Sequence, residues 1–255
     1  MRNVWTICRR ELYSYFVSPV AWVLLALYAV LSGAFATAIS SGFVQQTAMS
    51  QMRGASTPMS INEMVIAPLF GNIAVIGLLL IPLISMRLFA EEKRQGTIEL
   101  LVTSPIHDLE IVVGKWLAAL LMYSALLAVL AVDISFLFIY STPDWKPVLT
   151  GYFGLLLEGG TLLAFGAFIS TMTKNQIVAG AVGFALGLLL WILDWWTSLG
   201  DTPTIRVISY LSIVSHMESF SRGVIDSKDL IYYLSMIFLG LFLTTRSLES
   251  LRWRA

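Results

Sequence analysis

Apolar residues along this chain come in long unbroken blocks, not in the one-faced or alternating patterns of a soluble domain. A bilayer core of about 30 Å is crossed by a helix of about 20 apolar residues. Six blocks reach that length: Pro19–Ile39, Leu69–Arg87, Ile111–Tyr140, Gly151–Thr171, Ile177–Trp195 and Leu230–Thr245. The third is long enough to tilt or to project beyond the bilayer, and the last is short enough to extend outward. The pattern predicts an all-α membrane protein with six transmembrane helices. The first block does not read as a signal peptide, because eighteen residues precede it and five more spans follow.

Ahead of the first block, Arg2–Phe16 repeats at helical period. Val4, Cys8, Leu12, Tyr15 and Phe16 fall on one face with Trp5 beside them, and Arg2, Thr6, Arg9, Arg10 and Tyr13 fall largely on the other. A helix of this kind lies in the interface plane, with arginines near anionic head groups and the apolar face at the acyl boundary. Ser18-Pro19 then redirects the chain into the first span. Residues 1–18 therefore read as an amphipathic elbow helix, and 19–255 as one six-span domain.

Composition sharpens this picture. The chain has 255 residues, of which 57% are hydrophobic and 13% charged, about half the charge of an average soluble domain. A formal net charge of zero offers no footprint for nucleic acid. The single cysteine, Cys8, excludes an intramolecular disulfide and a multi-cysteine metal site. With six spans the termini and the even-numbered loops share one side. That side holds Arg2, Arg9, Arg10, Arg87, Lys93, Arg94, Lys115, Lys174, Arg246, Arg252 and Arg254, against Arg53, Lys146, Arg206, Arg222 and Lys228 on the other. The positive-inside rule then puts both termini in the cytoplasm. The two halves show no visible repeat of the kind found in many secondary transporters.

The charged loop Arg87–Asp108 is short, and it combines acidic residues with an apolar stripe of Ile98, Leu101 and Val102 at helical spacing. A solvated loop needs neither; aliphatics rimmed by charge read as a protein-docking surface. Its phrase EEKRQGTIELLVTSPI resembles the cytoplasmic motif of type-2 ABC exporter permeases, in which an acidic pair precedes Gly-Thr-x-Glu-x-Leu and then Ser-Pro. The resemblance extends to the six spans, the elbow helix and a long outer loop before the last span. Within that family, Ser212–Phe220 and Arg222–Asp226 resemble the gliding-motility (GldF-like) branch and the permease of the nitrous-oxide-reductase maturation system.

The resemblance implies a coupling helix over about 88–105 that enters a cleft of a soluble ATP-binding-cassette ATPase. Glu91, Glu92, Gly96, Thr97 and Glu99 would then stand at the contact, with Gly96 allowing close backbone approach. It also implies a second permease copy, or a similar permease, meeting this one through the first and fifth spans. ATP and magnesium would sit on the partner ATPase, with no cofactor in this chain. The implied location is the bacterial inner membrane, and a periplasmic or auxiliary partner is compatible with it. The outer loop, about 196–229, would dip into the membrane as re-entrant helices and form the outer gate, or else form an interfacial belt with Trp191, Trp195, Trp196 and Tyr210.

Ionisable residues inside spans are functional candidates by default, because each is costly to insert. Glu158 lies mid-span beside Gly159-Gly160, and reads either as a translocation-path or gating group or as a brace for helix packing. Asp133 and Asp194 lie near span ends and can reach the interface, and Lys115 is placed to snorkel. Gly114-Lys115-Trp116 lacks the earlier glycine and the Ser/Thr of a phosphate-binding loop. His216 and Glu218, in the outer loop, are gate candidates; no G-x-S-x-G accompanies the histidine, so hydrolase chemistry is not indicated. The leading expectation is a non-enzymatic permease of an ATP-driven exporter, coupling hydrolysis on a separate ATPase to substrate export or to mechanical transmission across the membrane. An ATP-independent secondary transporter or channel is the alternative, for which Glu158 and Asp133 are thin material.

Overall fold

The computed structural model describes residues 2–52, 60–99, 106–195, 202 and 210–252. Every regular element among them is helical. The elbow helix α1 (Arg2–Val17) leads through Ser18 into α2 (Pro19–Met52). A π-helical turn, Asn62–Ile66, runs into α3 (Ala67–Ser85), and α4 (Ala90–Gln95) continues the same rod. Then follow α5 (Asp108–Tyr140), α6 (Trp145–Met172), α7 (Gln176–Ile192), the short α8 (Met217–Ser221) and α9 (Ser227–Arg252). Six of these rods are long and apolar enough to cross a membrane. With six crossings, α1, residues 86–99 and the end of α9 share one face of the bundle, here the terminal face.

The helices outrun the apolar blocks that announce them. α2 is 34 residues long, about 50 Å at 1.5 Å per residue, although its apolar block stops at Ile39. Beyond that point the helix continues through small hydroxyl residues that return their O–H to their own turns. Ser41 Oγ donates to Ala38 O at 2.9 Å and Thr47 Oγ1 to Phe43 O at 2.8 Å. Hydropathy measures the span, whereas hydrogen bonding sets the helix.

The second rod leaves regular α-helical geometry at residues 86–89. Pro82 lacks an N–H, and the chain tightens after Ser85 before α4 begins with Phe89 outside helical geometry. Ser170 on α6 supplies the missing partners. Its hydroxyl accepts from Phe89 N at 3.0 Å and Ala90 N at 2.9 Å, and donates to Met86 O at 3.0 Å. Ser170→Ala orphans two buried backbone N–H groups and one partly buried carbonyl at once. A loss of about 1–3 kcal/mol is expected, read as a lower melting temperature of the purified protein in detergent.

α6 is the centre of the bundle, packed against α3, α5, α7, α8 and α9. Glycines let its neighbours approach to backbone distance. A Cβ on Gly159 would lie 2.2 Å from the Tyr123 ring, and one on Gly166 would lie 2.1 Å from Ser85 Oγ. By contrast α2, α7 and α9 leave most of their apolar surface outward, including Trp22, Val23, Val182, Leu189, Phe238 and Phe242.

The elbow helix packs on the bundle through part of its apolar face: Cys8 and Tyr15 are buried against α5 and the end of α3, and Trp5 and Tyr13 face outward. Gly114 makes this approach possible, since a Cβ there would sit 3.0 Å from Val4 O and from Ile7. Burial raises the Cys8 thiol above its ordinary range, as it does the Tyr15 phenol. The Tyr15 hydroxyl donates to Ile84 O at 3.1 Å, fastening α1 to the end of α3.

Candidate functional site

The first acidic residue in the chain is Glu11, and it falls on the buried face of α1, three residues after Cys8 and four before Tyr15. A carboxylate there needs a cation. Lys115, in the second turn of α5, provides it. Only 2% exposed, its ammonium lies 2.8 Å from Glu11 Oε1 and 2.9 Å from Glu92 Oε1 on α4, over the Phe89 ring at 5.3 Å. Arg10 adds a second cation 3.4 Å from Glu11 and 3.6 Å from Glu92. One buried lysine thus ties three elements that lie far apart in sequence. It does not snorkel as its sequence position suggested, because two carboxylates meet it inside the protein.

Around this centre, further bonds bind α4 to the bundle. Arg87 Nε pairs with Glu91 Oε2 at 3.1 Å, and its guanidinium lies over the Tyr15 ring at 5.8 Å. Lys93 donates to Thr171 O on α6, and Thr171 Oγ1 donates to Ser247 Oγ on α9 at 2.7 Å. Asn3 on α1 donates to Glu110 on α5 at 2.9 Å.

The five residues expected at a partner contact therefore separate. Glu91 and Glu92 turn inward into ion pairs, while Gly96, Thr97 and Glu99 stand at the surface with Arg94 and Gln95. Within the chain a Cβ on Gly96 would meet nothing within 4 Å, and the backbone supplies its own reason for glycine. Its φ of 72° ends α4 in the left-handed conformation, with Gly96 N and Thr97 N both donating to Glu92 O. Ile98 is half-buried, and Leu101, Val102 and Ser104-Pro105 lie outside the described residues.

Within the bundle, Glu158 is 1% exposed, and neither carboxylate oxygen has a hydrogen-bond partner among the described residues. It lies within electrostatic reach of Tyr123 on α5 and of Tyr232 and Tyr233 on α9. This is the interior of the bundle, not a face left open by α2 and α7. Asp133 accepts from Ser32 Oγ on α2 at 2.7 Å, a link between the first and third spans in place of a bare interfacial carboxylate.

On the face opposite the termini, residues 210–221 fold against α6 and α9. Tyr232 Oη donates to Leu211 O at 2.8 Å and Tyr233 Oη to Ile213 O at 2.7 Å, while Ile213 N donates to Leu190 O on α7 at 3.4 Å. His216 is buried here between Asp229 and Tyr210. Gly223, at φ 89°, turns the chain back toward α9. Glu218 faces outward, paired with Arg222, on a cavity of about 880 Å³ that Asp194, Asp144 and Glu63 also line. Trp196, and most of the outer loop from 196 to 209, lies outside the described residues. Among the described residues no cluster of His, Cys, Asp or Glu has the makings of a metal site.

Comparison with known proteins agrees with this architecture. A family model described as ABC-2 family transporter protein matches residues 5–244. Over 165 residues the chain is 30% identical to the "Probable multidrug ABC transporter permease YbhR" of Escherichia coli strain K12, and equally to that of Escherichia coli O157:H7. The alignment covers 63% of this chain and 43% of each relative, so the chain spans less than half the length of the curated relatives it matches.

Proposed function

The chain belongs to the ABC-2 family of transporter proteins, and from that premise we propose that it is the permease of an exporter driven by a separate ATP-binding-cassette ATPase. The observation that carries this reading is the buried tie between Lys115, Glu11 and Glu92. Coupling to an external motor requires a surface that the motor can push, and a stiff path from that surface into several spans. The surface is Arg94–Glu99. The path has no loose joint: α4 continues the second span, Glu92 holds Lys115 at the base of the third, and Glu11 brings the elbow and thus the first span with them. Lys93 and Ser170 anchor the same segment to the fourth. Displacing the surface moves four spans together.

In this reading the terminal face is cytoplasmic, the membrane is the bacterial inner membrane, and ATP and magnesium belong to the partner. Two ATPases engage two permeases, so a second copy or a similar permease completes the unit through the outward apolar faces of α2 and α7. Residues 210–221 form the outer gate. Among family branches, the resemblance of the last loop supports the gliding-motility (GldF-like) group, with either export of a substrate or mechanical transmission to a periplasmic partner as the output.

The test separates docking from folding. Thr97→Lys with Glu99→Lys alters only exposed side chains. It is expected to weaken co-purification of the ATPase by about tenfold or more, as charge reversal at a contact does, and to leave the permease's melting temperature unchanged. Undiminished co-purification and ATPase stimulation would move the docking surface elsewhere.

A further inference from the structure

The elbow helix keeps one face that the bundle does not use. Its inward side carries Cys8, Glu11 and Tyr15, and Glu11, the only acid in α1, is taken up by Lys115 inside the protein. The outward side is therefore cationic and aromatic, with no negative charge of its own. Arg2, Arg9 and Arg10 stand exposed there, with Trp5 64% and Tyr13 73% exposed. Arg10 is turned toward Glu11 and Glu92, at 3.4 and 3.6 Å. Arg9 makes no ion pair among the described residues.

An open groove of about 640 Å³ runs over this face, lined by Trp5, Arg9, Arg10, Leu12, Tyr13 and Phe16. At about 100° per residue, Trp5, Leu12 and Phe16 fall on one flank and Arg10 on the other, with Arg9 and Tyr13 along the middle. One wall is apolar and the other cationic. The groove ends at the base of the first span. There Phe16 meets Trp22 edge-on, 6.1 Å between ring centroids, and Trp22 Nε1 donates to Phe16 O at 3.1 Å. It thus lies at the level where a rod long and apolar enough to cross a membrane begins.

We propose that this groove binds an anionic phospholipid, with the phosphate on Arg9 beside Arg10 and the chains along Leu12, Phe16 and Trp22. Three observations select that occupant. Outward Trp5, Tyr13 and Trp22 at one end of a span match the aromatic belt that sits at head-group level. A guanidinium with no carboxylate presents a planar fork of N–H donors that fits a phosphate, whereas a zwitterionic head group brings its own cation to the same arginines. A second copy of the chain would have to bring acids to this face. Every described acid on the terminal face is already engaged within the chain.

Native mass spectrometry of the full chain in neutral detergent tests the site, with phosphatidylglycerol or phosphatidylcholine as the added lipid. The chain is expected to hold one phosphatidylglycerol about fivefold more tightly than phosphatidylcholine, the weight of one arginine at a membrane surface. Arg9→Gln breaks no ion pair, so it should melt like the native chain and lose that preference. Trp5→Ala should weaken both lipids alike, because the indole anchors either head group. Position is read separately, with photoreactive benzoylphenylalanine in place of Tyr13 and vesicles of equal parts of the two lipids. The adduct should be chiefly phosphatidylglycerol. Equal retention of the two lipids, an unchanged preference in Arg9→Gln, or capture of a second chain in place of lipid overturns the proposal.

Discussion

Replacing Lys115 by methionine is expected to destabilise the protein by about 3–5 kcal/mol, the range for removing one partner from a buried ion cluster. The size follows from what remains. Without the ammonium, Glu11 and Glu92 face each other across a water-poor gap, with Arg10 at 3.4 and 3.6 Å as the remaining cation and Glu92 Oε2 already without a hydrogen bond. The loss should be partly recovered in a triple variant carrying Glu11→Gln and Glu92→Gln, whose amides need no counter-ion. The two variants also separate folding from function. The triple variant should melt near the native temperature, yet give little stimulation of the partner ATPase, because weak neutral contacts have replaced the tie. Native stimulation in the triple variant would mean that the cluster only braces the fold.

Gly159→Ala is the second large effect expected. The added methyl would lie 2.2 Å from Tyr123 Cε1 and within 3 Å of two further ring atoms, so α5 and α6 must part or the buried ring must move. Overpacking of this kind costs about 1–3 kcal/mol or more. Tyr123 is itself wedged in the core at 1% exposure, which leaves the ring little room to yield. The measurement is thermal unfolding in detergent, with Tyr123→Leu in the same chain as the relief. If Gly159→Ala melts like the parent, the close approach of α5 and α6 is not a fixed feature of the bundle.

The six spans were legible because a long apolar block leaves few other structures open. Their true lengths were not, because Ser41, Gln45, Gln46 and Thr47 read as loop on any hydropathy scale but satisfy a helix well. The charged loop between the second and third spans stood out by composition. Which of its acids face inward was hidden, since Glu91, Glu92 and Glu99 look alike in a linear sequence, and their directions depend on Arg87 and Lys115 meeting the first two. Glu11 was the missed signal. An acid flanked at helical spacing by Cys8 and Tyr15 announces a buried cation nearby, and that cation is Lys115, which its position alone had marked only for snorkelling. The Ser170 contact with the turn in the second rod could not have been read at all, because it joins positions over 80 residues apart.

The length of α2 has a mechanical consequence. The helix is held at its base, where Trp22 Nε1 donates to Phe16 O and the elbow is locked through Tyr15 and Glu11. Along its apolar stretch it is among the least buried of the six rods. A rod of 34 residues pivoting at that base moves its Met52 end by about 4 Å for a tilt of about 5°, at 1.5 Å of rise per residue. Were the Ser32–Asp133 tie to yield, such a pivot would make the first span an amplifier, turning a shift at the terminal face too small to break a hydrogen bond into a displacement at the opposite end the width of a water molecule or more.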